Sequence, residues 1–282
     1  MLSWVTWENP VAVWWMILSS IAIVNILFMS WTWVYRYGHA TTKQLHKLWH
    51  ENENIIYFCA IYVVVCAFRS IFIRADVQRI CLFDTWFSSV FVGRSVATVA
   101  ELSFIVQWSI VLYFLGKETN TQVAVKISKL ILILITMAEC FSWYAVIRTH
   151  YLGNAIEESL WGVSYSLITI AIITLLPKLK VPLKMAGILS VIGCILYVAF
   201  MATVDVPMYV TRLTADNASH KPLLNLFSGL YDLNTRWIVT HDIKEWKSEI
   251  PWQTLYFSFA VWVSIALCYV PLKSDKIKKY LT

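Results

Sequence analysis

The chain has 282 residues, of which 59% are hydrophobic and only 14% are charged, and its mean hydropathy is +0.63. This composition excludes an ordinary soluble domain and indicates an integral membrane protein. The net charge of +6 comes from a few basic residues beside apolar runs, without a recognisable nucleic-acid-binding module, so nucleic acid is not an expected partner.

Seven apolar runs are each long enough to cross a bilayer core of about 30 Å. They lack the alternation of a membrane β-strand, so the sequence predicts an all-α integral membrane protein with a seven-helix transmembrane bundle. We expect residues 1–282 to form a single polytopic membrane domain. The third run is longer than a bilayer requires and is expected to tilt, protrude or break near Gly93. In chain order, the runs cover residues 11–35, 54–73, 87–115, 127–147, 156–176, 185–204 and 252–270.

Lysine and arginine residues in the short connections predict the orientation, because the cytosolic side normally carries their excess. The excess follows the first, third and fifth runs and fills the C-terminal tail, so the N-terminus is predicted outside and the C-terminus in the cytosol. Anionic lipid headgroups at the cytosolic face are then the expected contacts of residues 176–184 and 273–282. The basic residues of that side are Arg36, Lys43, Lys47, Lys117, Lys126, Lys178, Lys180, Lys184, Lys273, Lys276, Lys278 and Lys279.

The sixth connection, residues 205–251, is predicted to be a long outer loop. Its side chains Leu224, Phe227 and Tyr231 recur at helical spacing, which indicates a short interfacial helix, either a lid over an outward-facing cavity or a segment packed on the span ends. Asn217, followed by Ala and Ser, has the acceptor pattern for N-glycosylation, which operates on the outer or lumenal face. An ordinary polar loop is the alternative.

Two charged residues stand inside the third apolar run. On a helix Arg94, Thr98 and Glu101 share one face, because they are spaced i, i+4 and i+7. A charge facing lipid near mid-bilayer costs about 2.5–3.5 kcal/mol, so this stripe is expected to face the bundle interior. Arg94 and Glu101 are about 10 Å apart along the helix axis, so each is expected to need a partner on another helix.

Counting about 1.5 Å per residue from the outer end of each run places four charged residues at similar depths. We therefore expect an outer-leaflet cluster of Arg69, Arg94, Glu139 and Glu158, in which Glu139 neutralises Arg94. Glu101 lies near mid-span, so it is expected to be protonated or to face a water-filled cavity.

Glu157 has a simpler explanation. Asn154 and Glu157 have the spacing of an N-cap residue and the third residue of a helix. The sequence therefore predicts a helix start at Asn154, with Glu157 as a capping group.

The sequence contains no Gly-rich phosphate loop, G-x-S-x-G elbow, Cys-x-x-Cys pair or H-E-x-x-H motif, so no enzymatic activity is predicted from a signature. His46 and His50, at i and i+4 in the first connection, are a weak metal pattern, because two ligands do not make a site. The last run has no lysine that could hold retinal as a Schiff base, and no cofactor is predicted.

Three functions stay open for this multi-pass protein surrounded by membrane lipids. The first is a pathway for an ion, a proton or a small polar solute, with Glu101 as the titrating or ligand-binding group, and it requires a wet cavity that reaches Glu101. The second is a receptor-like or assembly subunit, bound to a membrane-protein partner or to its own copies, whose charges specify helix pairing. The third is a membrane-embedded lipid-modifying enzyme that uses Glu101 or Glu139 as an acid or base.

Overall fold

The computed structural model describes residues 4–37, 54–272 and 277–281. The fold is all-α apart from three two-residue strands. Within the described residues, six helical segments are long and apolar enough to cross a membrane, which is compatible with a multi-pass membrane protein. A further apolar helix, Ile55–Ile71, has 17 residues.

The elements follow one another closely. The long helices are α1 (Pro10–Tyr37), α2 (Ile55–Ile71), α3 (Val90–Glu118), α4 (Gln122–Arg148), α5 (Tyr151–Leu175) and α6 (Leu183–Phe200). The shorter helices are α7 (Val206–Ala218), α8 (Leu226–Thr235), α9 (Ile243–Trp246), α10 (Glu249–Phe257) and α11 (Phe259–Leu267). The strands are β1 (Arg74–Ala75), β2 (Ile80–Cys81) and β3 (Ile238–Val239).

The sixth apolar run continues further than hydropathy predicts. A π-helical turn, Met201–Asp205, joins α6 to α7, so helical structure extends to Ala218. Pro207 stands in the first turn of α7 and has no N–H to donate to the preceding turn, which favours such a local widening of the helix. Asn217 is therefore exposed in the last turn of a helix and not in an extended loop.

The helix expected near residues 223–231 is α8, which begins at Leu226. The Asn225 side chain accepts a hydrogen bond from the N–H of Ser228 at 2.9 Å, which is the contact of an N-cap. Phe227 and Tyr231 expose 84% and 72% of their surface, so α8 presents an uncovered aromatic face. Its position on a membrane surface stays a prediction.

The chain divides into two compact units, which are described separately. The first contains the described residues of Met1–His50, Ile56–Phe104 and Leu230–Cys268, and the second contains those of Glu51–Ile55, Ile105–Gly229 and Tyr269–Thr282. The expectation of a single polytopic domain stays a prediction.

A small sheet in the first unit holds the buried Arg74. Strand β1 pairs antiparallel with β2, which pairs parallel with β3. The guanidinium of Arg74 donates to the carbonyl oxygen of Ser88 and to Asp76 Oδ1, the latter at 2.5 Å, and the Arg74 side chain is 1% exposed. Its stem crosses α3 at Gly93, where an added Cβ would lie 2.3 Å from Arg74 Cδ. Gly93 therefore makes room for Arg74 while α3 continues through it, so the alternative of a break at Gly93 is wrong.

The second unit is built on a tight helical hairpin. Thr149 has a left-handed backbone (φ 54°, ψ 46°) and ends α4, and α5 begins two residues later. Gly153 lies against α4, because an added Cβ would stand 2.6 Å from the Phe141 carbonyl oxygen and 2.7 Å from Ala145 Cβ. This close approach fixes the register in which α4 and α5 face each other.

The end of α3 in the second unit is held by Lys178. Its ammonium group donates to the carbonyl oxygen of Thr119 at 2.8 Å and to the hydroxyl of Thr121 at 2.9 Å. A lysine at a helix C-terminus satisfies a terminal carbonyl and complements the helix dipole. One of the basic residues assigned to lipid headgroups thus has an internal role.

Asp76 is expected to make stability depend on pH. Burial tends to raise the pKa of this carboxyl, but Arg74, and after it Arg69 and Arg94, outweigh that effect and hold the pKa below its usual range. The ion pair therefore stabilises fully above the unfolded-state pKa of about 3.9 and loses its contribution as pH falls through the lower folded-state value. Thermal unfolding of detergent-solubilised protein should show a fall in melting temperature below about pH 4 that is weaker in Asp76→Asn. Asp84→Asn, at an exposed site, is the control, and parallel pH curves for wild type and Asp76→Asn would contradict this role.

Gly153→Ala is expected to destabilise the second unit by about 1–3 kcal/mol, because the new methyl group meets backbone atoms that cannot move cheaply. Gly193→Ala is the matched control, because an added Cβ there meets nothing within 4 Å. It should leave stability unchanged or raise it by up to about 1 kcal/mol through helix propensity. Melting temperatures in detergent measure both, and equal effects at the two glycines would refute the tight hairpin.

Candidate functional site

Arg94 and Glu101 form a direct ion pair on one face of α3 in the first unit. The Arg94 Nη2 and Glu101 Oε2 atoms are 2.9 Å apart, and the two residues are 8% and 9% exposed. The expectation that these residues are too far apart to bond is therefore wrong. Thr98, between them on the same face, is half-buried.

The direct pair is possible because the directions of the two side chains, and not only the rise between their backbone positions, determine the distance between the guanidinium and the carboxylate. Side chains on a helix lean toward its N-terminus, so the Glu101 carboxylate leans toward the turn that carries Arg94. The long arginine side chain covers the remaining distance along the helix surface. An i, i+7 pair of this kind needs no second helix to neutralise it.

Tyr256 ties this pair to a second helix of the same unit. Its hydroxyl donates to Glu101 Oε1 at 3.2 Å, so both carboxylate oxygens of Glu101 accept hydrogen bonds. The guanidinium of Arg69, on α2, lies over the rings of Tyr256 and Phe257, 5.8 and 5.4 Å from their centroids. The structure thus brings Arg69, Arg94 and Glu101 together around Tyr256, and Glu101 has a hydrogen-bond partner on a second helix.

Two surface grooves of the first unit run along α1. One is lined by nine residues that include Trp7, Asn25 and Trp262, and the other is lined by eight that include Met29 and Trp33. Glu101 is part of neither lining. These grooves therefore do not supply the wet cavity that a pathway through Glu101 requires.

Two buried glutamates face each other in the second unit. Glu139, on α4, is 3% exposed, and Glu157, on α5, is 4% exposed. Their nearest carboxylate oxygens lie within 4.8 Å of each other. We call Glu139 and Glu157 the carboxylate pair.

The role assigned to Glu157 as a capping group is wrong. Helix α5 begins at Tyr151 with His150 as its N-cap, so Asn154 lies inside the helix and Glu157 lies beyond the first turn. The left-handed turn at Thr149 and the close approach of Gly153 start the helix earlier than the local capping pattern indicates. Glu158, next to Glu157, is only half-buried.

Ser142 stands one turn from Glu139 on the buried face of α4. Most hydroxyls in these helices bond the carbonyl four residues back, as Thr136 and Ser159 do at 2.7 and 2.6 Å. Ser142 is 1% exposed, and its Oγ makes no hydrogen bond within the described residues. A buried hydroxyl that does not bond its own helix is available to a proton, a water molecule or a cation beside the carboxylate pair.

Several expectations are not decided by these contacts. Arg94 and Glu139 belong to different units, as do Arg69 and Glu158, so the outer-leaflet cluster stays a prediction. His46 and His50 lie outside the described residues. Glycosylation of Asn217 also stays a prediction.

Sequence reasoning missed Tyr256 and misassigned Glu157. Tyr256 lies in an apolar run rich in aromatic residues, which membrane-interface belts explain without any further role. Only the helix-to-helix register shows that its hydroxyl meets Glu101 and that Glu157 meets Glu139.

Replacing both members of the Arg94–Glu101 pair should restore most of the stability that replacing one removes. Arg94→Met and Glu101→Leu each leave an uncompensated buried charge and are expected to cost about 3–5 kcal/mol, whereas the double variant should be nearly neutral. Melting temperatures in detergent test this. Additive losses in the double variant would show that the two groups do not form an interacting pair.

The comparisons with known proteins find no matching family model, no matching curated protein and no matching solved structure.

Proposed function

We propose that this chain is an integral membrane protein with seven spans, an outer N-terminus and a cytosolic C-terminus. Six long apolar segments support this arrangement. Helix α2 is the remaining span, since its 17 residues rise about 26 Å and meet the lower limit for crossing a bilayer. The excess of basic residues in alternate connections supports the orientation.

Exposed apolar side chains support the membrane location. Along α6, one face exposes Met185, Leu189, Ile192 and Leu196 by 51–66%. In water such a surface would be unfavourable, whereas lipid chains cover it at no cost.

We infer that the protein provides a proton pathway, with Glu139 and Glu157 as the groups that carry the proton. The observation that carries this proposal is the separation of the carboxylate pair, at most 4.8 Å between two almost fully buried glutamates. Ionisable residues inside membrane helices commonly mark ion and proton pathways.

The physical argument is the repulsion between like charges. Two ionised carboxylates 4.8 Å apart repel each other by about 3 kcal/mol at an effective dielectric constant of ~20. A proton shared between the carboxylate pair removes this repulsion, and a proton that arrives from one side can displace the one already held. The Ser142 hydroxyl, which both donates and accepts, can extend such a relay by one group.

The Arg94–Glu101 pair has a supporting role in this proposal. Glu101 is already paired with Arg94 and accepts a hydrogen bond from Tyr256, so in this proposal it balances the charge of the buried arginine. The pair is formed within one helix, so it does not specify which helices associate. This weakens the alternative of an assembly subunit whose charges determine helix pairing.

Glu139→Gln and Glu157→Gln should abolish proton flux while leaving the fold intact, because glutamine keeps the shape of glutamate and removes its titration. Purified protein in liposomes with an internal pH-sensitive dye, driven by a potassium diffusion potential, measures the flux. Each variant should lower the rate by at least ~100-fold, the low end of what a positioned acid–base group contributes to a proton transfer.

Glu158→Gln is the matched control, because it removes the neighbouring half-buried carboxylate of the same helix and should keep wild-type flux. Sodium and potassium gradients imposed at constant pH distinguish a proton from a metal cation. Wild-type flux in both pair variants, or a wild-type rate equal to that of empty liposomes, would refute the proposal.

A further inference from the structure

Three sulfur atoms from three helical segments meet inside the first unit. The Sγ atom of Cys59, on α2, lies 3.4 Å from the Sδ atom of Met29, on α1. The Cys59 thiol also interacts with the thiol of Cys268, the residue that follows α11, and the Cys268 Sγ atom lies 3.7 Å from the carbonyl oxygen of Ser264. Cys59 and Cys268 are 0% exposed and Met29 is 5% exposed. We call these three residues the sulfur cluster.

Packing alone explains each residue but not their convergence. A buried cysteine behaves as a small apolar side chain, and methionine fills irregular gaps in cores. In the sulfur cluster, however, the Cys59 thiol donates to Met29 Sδ and interacts with the Cys268 thiol, which belong to residues 30 positions before it and more than 200 after it. The other described thiols include Cys81, which lies near the carbonyl oxygens of Phe83 and Ile238.

We propose that Met29, Cys59 and Cys268 bind one Cu(I) ion. Soft thiolate and thioether ligands select Cu(I), and two thiols with one thioether form a wholly soft ligand set. Zinc is the poorer fit, since its protein ligands are cysteine, histidine and carboxylate and do not include a thioether.

The observed spacing suits a shared metal ion. Two sulfur atoms bonded to one metal at about 2.3 Å, the length of a Zn–S bond, are at most about 4.6 Å apart. The 3.4 Å between Met29 Sδ and Cys59 Sγ falls inside that limit. A bound ion therefore requires no large movement of α1 or α2.

The charge balance is favourable for a buried site. Binding breaks one S–H bond, forms a Cu–S bond and releases the thiol proton to solvent, so one positive metal charge meets one thiolate and the site gains no net charge. Copper stays in the Cu(I) state, and no electron is transferred. A divalent ion at the same ligands would need a second thiolate to reach neutrality.

The sulfur cluster lies near the ends of its helices. Cys59 is four residues, or about 6 Å, inside the start of α2, and Cys268 is one residue beyond α11. In the proposed orientation these ends face the cytosol. A cytosolic donor of Cu(I) therefore has a short route to the site. The copper proposal rests on the proposed orientation and does not depend on the proposed proton pathway.

The test offers Cu(I) to reduced, detergent-solubilised full-length protein without oxygen, in competition with bathocuproine disulfonate, whose Cu(I) complex is coloured. Wild type should retain one copper per chain after gel filtration, and X-ray absorption at the copper edge should show sulfur ligands. Absence of retained copper, or a shell of nitrogen and oxygen ligands, would overturn the proposal.

Cys59→Ser and Cys268→Ser should each weaken copper binding by more than the ~10–100-fold that loss of an outer-shell partner costs, and Met29→Leu should weaken it less. Cys194→Ser removes a buried thiol of the second unit and is the matched control. Equal losses in Cys194→Ser and Cys59→Ser, or unchanged binding in both Cys59→Ser and Cys268→Ser, would assign the copper to other thiols. If a serine variant does not fold, Met29→Leu and the wild-type X-ray absorption spectrum decide the outcome.

Discussion

The need to neutralise charge inside apolar helices is the constraint on which this structure depends. An unpaired buried charge is costly, and in the first unit two buried arginines are each paired with a carboxylate. Arg94 is neutralised by Glu101 of its own helix, with Tyr256 completing the hydrogen bonds of the carboxylate. Arg74, in strand β1, is neutralised by Asp76, which directly follows that strand, and Gly93 leaves room for the Arg74 side chain beside α3. Each of these buried arginines therefore has a carboxylate close to it in the sequence.

In the second unit, two ionisable groups of the same sign lie close together. Glu139 and Glu157 bring two groups of the same sign together, in a place fixed by the close approach of Gly153 to α4. Like charges at this separation repel each other, and this repulsion is the basis of the proposed proton pathway. The close packing of α4 and α5 thus also sets the distance between the two buried carboxylates.

Much of the helical architecture could be predicted from the sequence, and the partners of its charged residues could not. A continuous apolar run is a local property of the sequence, so the long helices lie where these runs are. The sixth segment is the exception, because a π-helical turn before Pro207 extends its helical structure beyond the end of the apolar run. The start of α5 was misplaced because capping patterns are also local, whereas the turn at Thr149 and the contact of Gly153 depend on packing. The sequence correctly indicates that Arg94 and Glu101 are buried charges. Their direct bond depends on the direction of the side chains and not on the rise of the helix, so the spacing does not predict it. Tyr256 and Cys268 are close to their partners only through the register of separate helices, which composition does not encode.

The two proposed sites differ in the hardness of their donor atoms, and this difference determines which cation each site would bind. The carboxylate pair offers oxygen atoms, which take up and release protons readily and suit a group that must turn over. The sulfur cluster offers two thiols and a thioether, which hold a soft cation and compete poorly for hard ones such as sodium or magnesium. The two proposed sites share no residue, since Met29, Cys59 and Cys268 lie in the first unit and Glu139 and Glu157 in the second. If both proposals hold, a proton on the carboxylates and copper on the sulfurs would therefore use separate donor atoms.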